Sequence, residues 1–111
     1  MNDSEWLRTR RPTPPSKLSA RVQVAVAQAS EETTTSRSER LASAAAAILA
    51  PLLQPDARDV PRSRDVAIDL LAADALVTYA IESAAEDRGA MGQNIDSVVA
   101  YLAALAPEGK V

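Results

Sequence analysis

The chain has 111 residues, 12 Lys or Arg against 15 Asp or Glu, and a formal net charge of −3, with no Cys and no His. That length fits one domain with a modest core. The missing Cys and His exclude disulfides, thiolate nucleophiles, Cys/His zinc sites and a His general base.

Residues 1–12 read as an extended basic arm. Trp6 and Leu7 are its large apolar residues, Arg8, Arg10 and Arg11 carry its charge, and Pro12, Pro14 and Pro15 stiffen its junction with the body. Thr13 before Pro14 is a helix-start signal, a cap residue and then Pro at the first helical position. The spacing predicts a helix from there to about Ser30, with a light stripe of Leu18, Val22, Ala25, Val26 and Ala29. A polar break comes next. Ser36 and Glu39 then match a capping box that opens a second helix reaching about Leu53. Its stripe is Leu41, Ala45, Ile48, Leu49 and Leu52, and Pro51 is expected to kink it or end it early. Residues 54–63 read as a linker, with Ser63 as a cap for the third helix.

The third helix, DVAIDLLAADALVTYAIESAAED over residues 65–87, is apolar over far more than one face. With Asp65 at zero and ~100° per residue, Val66, Leu70, Ala73, Val77, Ala80, Ile81 and Ala84 fall between roughly 60° and 160°. Ile68, Ala72, Leu76 and Tyr79 form a second stripe between roughly 300° and 20°. The first stripe is expected to face the core and the second a partner, whereas Leu71 and Asp74 lie on the polar side. A helix this broadly apolar touches two or three neighbours in its own bundle, or else a partner chain. Gly89 is expected to stop it in the left-handed conformation. A fourth helix runs from about Gln93 or Asn94 to before Pro107, with Ile95, Val98, Val99, Leu102 and Leu105 on one face. No stretch alternates with period two. The expected fold is therefore all-α: a bundle of about four helices over 13–107, an arm over 1–12 and a tail over 108–111.

Charge divides the chain unevenly. Residues 1–21 sum to +3, residues 22–64 to zero and residues 65–111 to −6. A basic arm before an acidic body can bind nucleic acid, but five basic residues are a thin footprint and the body repels phosphate, so nucleic acid is not the expected partner. The start of the chain lacks the apolar core of a secretory signal. No uncharged apolar run reaches the ~18 residues of a membrane span. A cytoplasmic protein is expected. Ten Arg against two Lys, beside 23 Ala, is the bias of a GC-rich bacterial genome.

Candidate chemistry is sparse. Asp65 and Asp69 stand four apart on one helix face, a spacing that holds Mg²⁺ when a second acidic motif faces it; no other helix repeats it. Asp65 also suits the helix dipole. Asp69 sits between the two apolar stripes, where burial demands a partner, and Arg21 or Arg40 can reach it. Glu82, Glu86 and Asp87 crowd the carboxyl end of the same helix, against its dipole; they read as an ordinary solvated surface or, alternatively, as a docking surface for a basic segment, the chain's own arm or a partner's. The expected function is a non-enzymatic helical interaction module, a small subunit or adaptor that self-associates or binds a protein without a cofactor. Its expected contact residues are Trp6, Leu7, Arg8, Arg10 and Arg11 on the arm and Ile68, Leu76 and Tyr79 on the third helix. The alternatives are a small Mg²⁺-dependent enzyme or accessory using Asp65 and Asp69, and a nucleic-acid-associated regulator using the arm.

Overall fold

The computed structural model describes residues 2–29, 36–53 and 64–105, with the backbone alone at residue 64. Helices α1 (Asp3–Arg8), α2 (Ser16–Ala29), α3 (Arg37–Leu52), α4 (Arg64–Glu86) and α5 (Met91–Ala103) succeed one another, and the described residues form no strand. The break at 30–35, the linker at 54–63 with its Ser63 cap, and the tail at 108–111 lie outside the described residues.

The four expected helices are present, and α1 is an addition to them. The arm is thus not extended over its first half. The Asn2 side chain caps α1 by accepting the Glu5 N–H at 2.8 Å. Asp3 and Glu5 lie in its first turn and Arg8 in its last, each with the sign the helix dipole favours. Six residues are too few for a helix to stand alone in water, so α1 persists because it docks.

Ser36 caps α3 as its spacing predicts, accepting the Glu39 N–H at 3.3 Å. The helix runs through Pro51 to Leu52 instead of ending before it. At the last turn Pro forfeits one backbone bond, and Leu53 closes the turn onto the Leu49 and Ala50 carbonyls. Gly89 does not take the left-handed conformation; a turn in which the Ala90 N–H donates to the Asp87 carbonyl ends α4 instead.

The largest interface joins α3 to α4; α2 and α5 each pack on both, and α1 lies on top. The α3–α4 seam is built of Ala42, Ala44 and Ala45 against Ala72, Ala73, Ala80 and Ala84, with Leu41, Ile48 and Leu76 filling it. Small side chains let these two backbones approach closely. Val22, Ala25 and Val26 close the seam from α2, Val98 from α5, and Trp6 with Leu7 from α1.

Contact with α2, α3 and α5 accounts for the breadth of the apolar surface on α4. The core direction of α4 bisects the two stripes, because neighbours pack on either side of it. Leu76, expected at a partner surface, is consequently in the core. Leu70 and Ile81, expected in the core, hang over its edge at 49% and 45% exposure. Leu71 is exposed, as its place on the polar side predicts.

Candidate functional site

Two features stand out from the bundle: the seat of α1 and an apolar face on α4 and α5. The seat is built around Asp3 and Trp6. Asp3 is 7% exposed. Its Oδ2 accepts from Arg40 Nε at 2.6 Å, and its Oδ1 accepts from Arg40 Nη2 at 2.9 Å and Arg37 Nε at 3.1 Å. Arg37 and Arg40 stand three apart on the first turn of α3 and so converge on one carboxylate. Burial alone would raise the Asp3 pKa; the hydrogen bonds and charges of Arg40 and Arg37 outweigh it and hold the carboxyl below its usual range. The same bond raises the pKa of Arg40.

Trp6, three residues on, is 4% exposed. Its Nε1 donates to Glu86 Oε1 at 3.0 Å. The Arg10 guanidinium lies over its ring, 4.0 Å from the centroid, with that of Arg37 at 5.3 Å, a placement the negative face of the ring favours. Arg10 Nη1 also meets Glu82 at 3.3 Å and Glu86 at 3.2 Å. Two of the three acids at the carboxyl end of α4, Glu82 and Glu86, are therefore met by the protein's own arm. Ser4 donates to Gln23 of α2 and fastens the other edge. Tyr79 sits beneath this seat in a small cavity with Leu7, Arg10, Pro14 and Val22. Burial raises its pKa, the Glu82 charge adds to the shift, and Arg10 opposes it.

Of the expected contact residues, the structure brings Trp6, Leu7, Arg10 and Tyr79 together, but as an internal joint. Trp6, Leu7 and Leu76 are buried and Arg10 is paired, so none of them is offered as a free surface. Arg8 and Arg11 are exposed, and Ile68 is half-buried away from the seat. Trp6 is not held out for a partner, as the arm's composition suggests; its ring is buried, and its indole N–H donates to the half-exposed Glu86 carboxylate. Asp3 and Arg37 are positions in this seat that periodicity and charge do not single out, and Arg40, expected near Asp69, is committed to Asp3 instead. A signal is present, since Asn2 with Glu5 three residues later matches a helix start.

Asp69 pairs with Arg21, its Oδ1 accepting from Nε at 2.7 Å. Both side chains remain about a third exposed, at 31% and 30%, so this is a one-point surface pair and not the buried bidentate pair expected. A guanidinium at that distance competes with a Mg²⁺ ion for the Asp69 charge. Among the described residues no three acids gather as a metal site. A groove of about 300 Å³ between α2 and α3 is lined chiefly by alanines, and its one cation, Arg21, is committed to Asp69. Among the described residues no helix is long and apolar enough to cross a membrane.

The second feature is the face beside the α4–α5 junction. Leu70, Val77 and Ile81 lie along one edge of α4, and Val99 of α5 is 56% exposed. Ile95 and Leu102 share the Val99 side of α5, whereas Asn94 on the other side sits with Ser36, Arg37 and Ser38 of α3. The connector over 87–90 is short, so α4 and α5 form an antiparallel hairpin. Equal rises outward from the connector set Val99 level with about residue 78 of α4. Val77, Ile81 and Val99 therefore lie at about the same level of the α4–α5 hairpin. No known protein family, curated protein or solved structure matches this chain.

Proposed function

We propose that this protein is a non-enzymatic helical interaction module, a small cytoplasmic bacterial subunit or adaptor, and that it engages its partner through the α4–α5 face. One observation carries this reading: Leu70 and Ile81 along one edge of α4, and Val99 on α5, remain about half exposed on a bundle whose other large side chains are mostly drawn inward. Contiguous exposed apolar surface of this kind marks interaction sites. Supporting it, Arg10, one of the three arginines of the arm, is spent on Glu82 and Glu86, which weakens the nucleic-acid alternative. The Asp69–Arg21 pair likewise weakens the Mg²⁺ alternative.

The test compares the wild-type chain with a triple variant, Leu70→Ser, Ile81→Ser and Val99→Ser. Light scattering and crosslinking in the source cells should show a partner or second copy on the wild type and its loss from the variant, with both melting alike. A wild type that stays monomeric and uncrosslinked sinks the reading.

A further inference from the structure

Resting on that reading, we infer that the α4–α5 groove receives a basic amphipathic helix from a different protein, not a second copy of this chain. The groove has an apolar floor and an acidic rim. Val77, Ile95 and Leu102 are half-buried along it, Ile81 and Val99 stand up at its edges, and Leu70 continues the apolar edge of α4 beyond the end of α5. Asp74 lies between Leu70 and Ile81 on the outer edge of α4, and Asp96 precedes Val99 by one turn on α5. Both are exposed. Neither carboxylate has an ion pair among the described residues, whereas Asp69, Glu82 and Glu86 each have one. Over residues 65–105 Arg88 is the only base.

That arrangement selects its occupant. Leu70 and Ile81 stand eleven residues apart, which on a helix is about 16 Å, or three turns. A partner helix of similar length, with apolar residues at i, i+3, i+4 and i+7, would cover the floor. Lys or Arg on its flanks would then face Asp74 and Asp96. A second copy would bring the same acids against their own kind, with Arg88 alone to answer them, and like charges across an interface exclude wrong partners. Glu82 and Glu86, on the other side of α4, already share Arg10, whereas Asp74 and Asp96 flank the exposed apolar residues with no such partner among the described residues.

Two labelled peptides of about 18 residues test this, with the same Leu pattern at helical spacing, one filled with Lys and the other with Glu. Fluorescence anisotropy of the Lys peptide should rise on titration with the full chain, and that of the Glu peptide should not. Ile81→Ser with Val99→Ser should weaken binding about tenfold or more, and Asp74→Lys with Asp96→Lys by a similar factor. Val24→Ser, at an exposed apolar residue on α2, should leave it unchanged. Thermal melts of all variants should match the wild type, because the altered side chains are exposed. Absence of binding, equal binding of both peptides, or binding indifferent to Ile81 and Val99 would overturn the inference. So would a dimer by light scattering that Ile81→Ser disperses. In that last case the α4–α5 face would still be an interaction surface, and only its occupant would have been misassigned.

Discussion

Asp3 receives three hydrogen bonds from two arginines while almost wholly buried. Removing one member of a buried pair costs about 3–5 kcal/mol where the structure has no way to relax. Here it has one, because α1 lies at the end of the bundle and can release. The loss from Asp3→Asn is therefore capped at the docking free energy of α1. Urea melts should show Asp3→Asn and Trp6→Ala each costing nearly as much as deletion of residues 2–11. The double variant should add little; full additivity would show that α1 does not dock as a unit. Acid should act through the same residue. The Asp3 pKa falls on folding, so its contribution is complete above about pH 4, the range of a free carboxyl. It is lost as the pH drops further through the folded value. Stability should consequently fall more steeply below pH ~4 in the wild type than in Asp3→Asn. Asp69 behaves differently. Its pair with Arg21 is partly solvated and one-pointed, so Asp69→Asn should cost no more than about 1 kcal/mol. A larger loss would mean that the pair is drier in solution.

Among the elements, α4 shows what helical periodicity can and cannot reveal. Its length, its breadth of apolar surface and its several neighbours are legible in the spacing of Leu, Ile, Val and Ala. The direction of the core is not, because two neighbouring stripes leave it open until the neighbours are in place. Leu76→Ala should cost about 2–5 kcal/mol, as truncation at a fully buried site does. Leu70→Ala and Leu71→Ala should each stay within about 0.5 kcal/mol, as exposed positions do. A Leu70→Ala loss equal to that of Leu76→Ala would return the core to the Leu70 stripe. The capping residues of α1 and α3 are both written in the sequence. For α3, Ser36 and Glu39 precede an obvious apolar run. For α1, Asn2 and Glu5 precede only Trp6 and Leu7, too little greasy surface to suggest a helix, since the rest of its stability comes from Arg37, Arg40 and Glu86, far along the chain. The candidate groove is half legible: Val77 and Val99 lie on predicted stripes, but the exposure of Leu70 and Ile81 depends on where α5 settles.

At the scale of the whole molecule, α1 turns an Ala-rich bundle with few large side chains into one capped by a Trp. Trp6 is the chain's only Trp, so its fluorescence reads the joint directly. In the free protein its emission should be blue-shifted and resist iodide or acrylamide. Deleting residues 2–11 should lower the melting temperature. The arm rests on charge as well as on apolar burial. The Arg10 pairs with Glu82 and Glu86 are partly exposed, and salt screens such pairs over a Debye length of about 8 Å at physiological strength. The Asp3 cluster is more deeply buried and should resist salt. Moderate salt should thus loosen the Arg10 end of the arm while Trp6 stays quencher-resistant. Free access of quencher to Trp6 at low salt would show that α1 is undocked.

The hydrogen bond between Trp6 and Glu86 spans 80 residues of chain, and this imposes an order on synthesis. The α1 segment leaves the ribosome before Arg37, Arg40, Glu82 and Glu86 exist to receive it, and chains lengthen by only about 5–20 residues per second. For those seconds its indole has no seat and its six residues have too little local helical stability to stay folded. Helix α1 can thereby acquire its structure only after α4 has been made. A six-residue helix that forms only on docking is expected to contribute little to the folding transition state of the full chain, so breaking its contacts should hasten unfolding while leaving the folding rate nearly unchanged. Stopped-flow kinetics of Trp6→Ala, tracked by far-ultraviolet circular dichroism, would display that asymmetry.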